Sequence, residues 1–386
     1  MNDNQTQVCS KCYYDGNSNT ATHCDICNQP LKHKNVSLDN SNAIWWLVPL
    51  IALLLLAGVG YFFWRKDTIP KITGNSSAPL TKAPQESQQV SVNNSPSSDI
   101  KLYNSMRQVQ NVPHGLFNYG GAHTFAALPA HGMNSAIALA HPEFRLRYTE
   151  PLNNKPGSGT GIAMLLEGKL SFSQSGRPIE DAEYSKATAR GFSLQQVPVA
   201  IDGITFYTHP DIAIDGLSVD QLQAIFLGKV TNWKQVGGPN LVIRPFSVNP
   251  KITSSIQILF EGIQNASLGG NVQLVRDYTE AIRNVASTPG GISYGSAPLA
   301  LGQQTILPLG LAKANSNRYV QPFTKNNQVN AEAFRDGTYP LTRRLFVVLR
   351  RDRTPDEQAG IAYVNLLLSK EGQQMIEKAG FVPLYQ

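Results

Sequence analysis

Hydrophobic and polar positions divide the chain into stretches of different kinds. The longest apolar run, AIWWLVPLIALLLLAGVGYFFW at residues 43–64, contains no charged residue. As a helix it would extend roughly 33 Å, enough to cross a hydrocarbon core of about 30 Å. Residues 68–99 are rich in Ser, Pro, Asn and Gln and poor in aliphatics, so they cannot bury a core and predict a flexible stalk. From about residue 112 two periodicities alternate. MNSAIALAH has a helical pattern, and FRLRYT (144–149) predicts a short strand after it. PVAIDGITFYTH (198–209) is apolar and β-branched, a strand broken by Gly203. In LSVDQLQAIFLG, Ser218 and Gln221 form a capping box, Leu222, Ile225 and Phe226 share one face, and Gly228 ends the helix. In RTPDEQAGIAYVNLLLS, Thr354 caps, Pro355 enters the first turn and Glu357 closes the box. Ile361, Val364, Leu367 and Leu368 form its buried stripe. Strands alternating with helices predict an α/β domain with mostly parallel sheets. Its length exceeds what one core usually spans, so two lobes are expected.

The ends of the apolar run carry Trp45, Trp46, Tyr61, Phe63 and Trp64, placed as an interfacial aromatic belt would be. The run is too long and starts too late for a cleaved signal peptide. Lys32 and Lys34 precede it, and Arg65, Lys66 and Lys71 follow it, a slight bias toward the C-terminal flank inside.

Composition adds exclusions. The net charge is +6, with 33 basic residues scattered along 386 positions. No block of like charge offers a nucleic-acid footprint, so nucleic acid is not an expected partner. All four cysteines, Cys9, Cys12, Cys24 and Cys27, fall in CSKCYYDGNSNTATHCDIC. Two C-x-x-C knuckles can complete a tetrahedral sulfur shell for one Zn2+, and the segment resembles a zinc ribbon. Two disulfides in an exported tail are the other reading. So short a segment has little core, and the metal would supply most of its folding energy. Thiolates persist best in a reducing cytosol, which argues for this segment inside, against the small charge bias.

Six segments carry a family resemblance. GLFNYGGAHTFAAL, PGSGTGIAMLLEGKLSFSQSGRP, VPVAIDGITFYTHP, LSVDQLQAIFLGKVTNWKQVGG, TPGGISYGSAPLA and LLLSKEGQQMIEKAGFVPL occur in the order seen in phosphate-binding proteins of high-affinity phosphate ABC transporters. These belong to the type 2 periplasmic solute-binding superfamily. The resemblance runs from about residue 112 to 384. It implies a two-lobed α/β periplasmic-binding-protein type 2 fold with a discontinuous first lobe and an anion in the cleft. The expected organisation is a zinc ribbon at 1–40, a transmembrane helix at 43–64, a stalk at 65–111 and a receptor domain at 112–386. Lobe 1 would cover about 112–200 and 297–386, and lobe 2 about 201–296. The chain would cross between lobes near 199–207 and return near 291–297. By the same resemblance the receptor domain lies outside the cell membrane and the ribbon inside.

The resemblance also implies the ligand set. Thr124 and Phe125 stand where the family has a Thr-Phe pair, donating a hydroxyl and an amide. Ser158 matches the family's ligand serine, with Gly159, Thr160 and Gly161 opening the next helix. In NPKITSSIQILFEGI the family has a Gly-Ser-Gly-Thr-like turn, and this chain offers Thr253, Ser254 and Ser255. Helix N-termini and hydroxyls of this kind hold a dehydrated oxyanion with mostly neutral donors. Read alone, each segment is equally an ordinary helix cap. Two positions depart from the family. The aspartate that accepts the proton of hydrogen phosphate is replaced by Gly176, followed by Arg177. Arg177 is either a substitute anion contact or a surface residue pairing with Glu180 or Asp181. The family's arginine before the third turn falls near Asn249 and has no replacement there. Arg244 lies on the preceding strand.

The implied function is a membrane-tethered receptor that captures phosphate or a related oxyanion. Its expected partners are an ABC permease, a cytosolic partner of the ribbon, and membrane lipid. The alternative is a scaffold or signalling module with a degenerate site. No enzyme is expected. His114, His123, His131 and His141 have no metal-ligand spacing, and no nucleophile–base–acid order stands out.

Overall fold

The computed structural model describes residues 6–18, 21–26, 29–31, 99–152, 155–250 and 255–385. The apolar run at 43–64, the stalk before residue 99, Cys27, Thr253 and Ser254 lie outside the described residues. Among the described residues no helix is long and apolar enough to cross a membrane.

The long strand Ser193–Thr208 carries the architecture. Its first part pairs antiparallel with Thr342–Arg351, in a register running from Ser193↔Arg351 to Gly203↔Thr342. From Ile204 onward it pairs instead with Gly291–Ser296, also antiparallel. The strand predicted to break at Gly203 therefore continues and changes partner there. A Cβ at Gly203 would lie 2.2 Å from the Phe334 ring, so the switch point admits no side chain.

On the first side Thr342–Arg351 leads to Phe172–Ser175, then Gly115–Gly121, then Phe144–Tyr148. Gly115–Gly121 is parallel to both neighbours, as helix-connected strands should be. On the second side Gly291–Ser296 leads to the parallel strands Arg244–Val248 and Gln273–Val275. The two halves bury separate cores. One contains Phe117, Phe144, Phe172, Val197, Leu345 and Tyr363, and the other Ile204, Phe206, Leu222, Phe226, Trp233 and Tyr294. The mixed α/β arrangement in two lobes matches the expected class.

Boundaries differ from expectation in two places. Ile100, Met106 and Val109 are buried in the first core, so ordered packing starts within the stretch read as stalk. Leu309, Leu311, Phe334, Tyr339 and Leu341 belong to the second core, so the return to lobe 1 is made by Thr342–Arg351 rather than near residue 297. Apolar periodicity marks a residue as buried without saying in which of two cores.

Local signals hold well. Helix Val219–Phe226 is capped by Ser218, whose hydroxyl accepts from the Gln221 N–H while Gln221 Oε1 accepts from the Ser218 N–H. Helix Pro355–Leu368 starts where predicted, but its cap differs. The Thr354 hydroxyl donates to Asp352, and Glu357 accepts from the Asp352 and Arg353 N–H groups.

Cys9, Cys12 and Cys24 are buried in a small N-terminal unit with a two-stranded ladder, Thr6–Gln7 against Asn17–Ser18. The side chain of Asn17 organises it, donating to the carbonyls of Gln7 and Tyr14 and accepting from the Asp25 N–H. The unit rests on lobe 1. Asp15 accepts from the Tyr184 hydroxyl at 2.5 Å and from the Gln196 N–H at 3.1 Å. Gln196 Nε2 donates to the Tyr13 carbonyl at 2.9 Å.

Candidate functional site

The interlobe cleft collects groups from three parts of the chain. Lobe 1 contributes Thr124, from the 3-10 turn His123–Ala126 after strand Gly115–Gly121. Lobe 2 contributes Ser255, at the start of helix Ser255–Leu259. Between them stands Arg343, on the returning strand, with its side chain only 6% exposed. Arg343 Nη2 donates to Thr124 Oγ1 at 2.9 Å and Nη1 donates to Ser255 Oγ at 3.2 Å. One guanidinium thus ties the two lobes together.

Asp202 fixes that guanidinium. It lies opposite Arg343 in the ladder and is fully buried. Its Oδ2 accepts from Arg343 Nε at 3.0 Å and Nη2 at 2.9 Å. Its Oδ1 accepts from Ser296 Oγ at 2.6 Å and the Ala297 N–H at 3.2 Å. Burial pushes the Asp202 carboxyl up, against the opposing pull of Arg343, Ser296 and the Ala297 N–H. Three hydrogen bonds and the ion pair with Arg343 engage both oxygens of the carboxylate. Asp202 is therefore an anchor for Arg343.

Gly176 belongs to the same cluster. A Cβ on it would stand 3.1 Å from Arg343 Nη1. A side chain there would need the guanidinium to yield by a few tenths of an ångström. Ser158 adjoins from the other direction: its hydroxyl accepts from the Gly176 N–H at 3.0 Å. The structure thus brings the expected Thr124, Ser158 and Ser255 together with Gly176 around Arg343.

Other expected contacts are engaged elsewhere. The Phe125 N–H donates to the Ala122 carbonyl at 3.1 Å, and its ring is buried. The Thr160 hydroxyl donates to the carbonyls of Lys155 and Gly157, both at 3.0 Å, closing its own turn. Gly161 serves packing: a Cβ there would lie 2.5 Å from Gly121 Cα. Gly159 keeps its place at the helix start, where a Cβ would meet Arg177 Nη2 at 3.4 Å.

Arg177 follows the plainer of its two sequence readings, with Glu183 as the main partner. Its Nη1 and Nη2 donate to Glu183 at 2.9 and 2.8 Å, and Nε lies 3.3 Å from Glu180. Burial works against its charge, but the bonds and charge of Glu183 outweigh it and hold the group cationic. Both terminal nitrogens of Arg177 are turned to Glu183, and none of its bonds reaches Thr124 or Ser255. Arg343, 219 residues from Thr124 in sequence, is the cation that sequence reading missed. Its strand reads only as a strand, and the one available signal was the Arg343–Arg344 pair at the head of the apolar run LFVVL. Arg244 is exposed.

A cavity of ≈ 570 Å³ opens beside this cluster between the lobes. Thr124 and Ser296 belong to both. At its rim Lys155 Nζ, from lobe 1, donates to the Arg276 carbonyl of lobe 2 at 3.2 Å. His123 also lines it, and burial lowers its affinity for a proton.

Away from the cleft, the sulfurs of Cys9, Cys12 and Cys24 lie within 4.8 Å of one another, and Cys12 and Cys24 are 3.5 Å apart. Tetrahedral zinc–thiolate bonds of about 2.3 Å imply sulfurs about 3.8 Å apart, so the donor set fits that ion. Among the described residues this is the only group of three or more His, Cys, Asp or Glu placed to hold a metal.

Comparison with known proteins places the large domain. A family model described as a PBP superfamily domain matches residues 130–371. The chain is 27% identical over 244 residues to the phosphate-binding protein PstS of Pseudomonas aeruginosa, covering 59% of this chain and 72% of that protein. It is 25% identical over 235 residues to PstS of Staphylococcus saprophyticus, covering 59% and 69%. An ABC-type phosphate transport receptor from Vibrio cholerae superposes with a TM-score of 0.54 at 18% identity, over 69% of this chain and 99% of that one. A phosphate ABC transporter substrate-binding protein of Clostridium perfringens, solved with bound phosphate, gives 0.57 at 20%, over 70% and 99%. At those identities the superpositions speak for the fold alone.

Proposed function

The chain belongs to the PBP superfamily, whose PstS-type members are binding proteins rather than enzymes, and we propose that it captures a phosphate-like oxyanion between its lobes. The observation that carries this reading is the convergence of Thr124, Ser255 and the Gly176 turn on Arg343. The Thr124 hydroxyl, accepting from the guanidinium, would keep its proton to donate to an anion, while Ser255 accepts from both Arg343 and the Tyr278 hydroxyl. A buried, pre-oriented arginine adds charge-assisted bonds. Closing the lobes on the anion is a hinge motion about Ser193–Thr208 and its neighbours. Such a receptor delivers its ligand to an ABC permease or reports it inward.

A second reading has one observation in its favour. Arg343 is already engaged by Asp202, Thr124 and Ser255 without an anion, which is what a scaffold with a retired site needs. Calorimetry with phosphate and sulfate separates the two: the receptor binds one anion per chain, the scaffold none.

The reading extends to the N-terminus. Cys9, Cys12 and Cys24, completed by Cys27, would hold one Zn2+ as a structural ion, and the apolar run 43–64 would tether the receptor domain to the membrane from outside. With the ribbon inside, the Asp15 contact to lobe 1 has to open, because a chain crossing the membrane once cannot keep both ends together.

A further inference from the structure

The ≈ 570 Å³ cavity is much larger than a bare tetrahedral anion needs. A water fills about 30 Å³ of liquid, so five heavy atoms occupy on the order of 100–150 Å³. The lining is also of the wrong kind for an anion alone. Ala126, Ala127, Ala130, Val248, Pro298 and Leu299 supply most of its wall. His123, His131, Tyr278 and Thr279 also line it. Thr124 and Ser296 join the cavity to the Arg343–Asp202 cluster. Lys155 and Arg276 stand at the opposite rim, and Asp277 is committed to capping helix Tyr278–Ser287 through the Glu280 N–H. Chambers of a few hundred Å3, mostly apolar with a few convergent polar groups, commonly bind small organic molecules.

We infer that the ligand is a tetrahedral phosphoryl group carrying a short apolar body, as in an alkyl phosphonate or a small phosphomonoester. The phosphoryl group would meet Thr124 at the edge of the Arg343 cluster, and the body would fill the chamber beside it. This rests on the oxyanion reading above and names its substrate class. A body of a few carbons is what the chamber's volume accommodates beside the phosphoryl group. Apolar contact on the body adds to affinity without altering the charge requirement.

The test is calorimetry on the detergent-solubilised full chain with inorganic phosphate, methylphosphonate, propylphosphonate and phenylphosphonate. Affinity should rise along that series, by about fourfold per buried methylene. Ala130→Phe, which fills the chamber from its rim, should lower phenylphosphonate affinity more than about tenfold and leave inorganic phosphate within about twofold. A flat or falling series with inorganic phosphate still bound overturns the organic ligand and leaves the oxyanion reading intact. No heat with any of the four overturns both. The series on the unsubstituted chain does not depend on how the variant folds.

Discussion

At the scale of single residues the two arginines divide the roles. Arg177 is tied to Glu183 and Glu180 within its own turn, whereas Arg343 spans the cleft. Arg343→Ala should lower oxyanion affinity about ten- to a hundredfold, the range for charge-assisted hydrogen bonds. Arg343→Lys should recover only part, because an ammonium cannot serve Asp202, Thr124 and Ser255 together as a planar fork does. Arg177→Ala should leave affinity within about threefold and lower the melting temperature instead. Removing Arg343 alone strands a buried carboxylate at a cost of about 3–5 kcal/mol, so Asp202→Asn with Arg343→Gln is the folding control. If Arg177→Ala lost binding while the Arg343 variants kept it, the roles would be reversed. The difference in legibility follows from distance along the chain. Glu180 and Glu183 stand three and six residues from Arg177 and are visible as candidates in sequence. Asp202 and Thr124 stand 141 and 219 residues from Arg343 and reach it only through the sheet.

At the scale of elements, capping and periodicity were the most readable features, because both are local chemistry. Ser218 with Gln221 formed as expected, and helix Pro355–Leu368 began at its proline. Glycines were less readable. Those around Ser158 suggested a cradle for an anion, yet Gly161 is small because strand Gly115–Gly121 passes beneath it. Nor did the sequence show the cysteine unit resting on lobe 1. Loss of water between Tyr184 and the Gln196 backbone is the largest influence on Asp15, raising its carboxyl from 3.8 to about 6 despite the hydrogen bonds it accepts. The docked form therefore holds its proton more tightly than the undocked form. Docking is fully supported below about pH 3.8, weakens as pH rises to 6, and is weaker by about 3 kcal/mol above that. Hydrogen exchange at the start of strand Ser193–Thr208, corrected for its intrinsic pH dependence, should show protection falling between pH 4 and 7. Asp15→Asn should flatten that profile. Protection that rises with pH would contradict the account.

At the scale of the whole molecule, the two lobes, their order and the shared hinge were legible because six ordered segments carried the family pattern. The lobe boundary was not, because residues 306–341 are apolar enough for either core. The proposed topology puts the cysteine unit across the membrane from the receptor domain, and labelling tests it. An impermeant maleimide applied to intact cells should leave the four cysteines unlabelled. After lysis, labelling should stay low until a chelator removes about one zinc per chain. Labelling of intact cells would show that the ribbon stays on lobe 1 and that residues 43–64 do not cross. Rapid labelling after lysis without a chelator would remove the metal from the account.

The claim on which the rest depends is that the cleft takes an oxyanion without an aspartate at position 176 to read its proton. Asp202 is held by Arg343, Ser296 and the Ala297 N–H, and Asp277 caps its own helix. Competition calorimetry, titrating phosphate into the full chain with and without excess sulfate, measures this most directly. The account predicts one phosphate per chain and a clear loss of apparent affinity when sulfate is present. No heat with either anion would contradict the receptor, and strong phosphate binding untouched by sulfate would show that some other group in the cleft reads the proton.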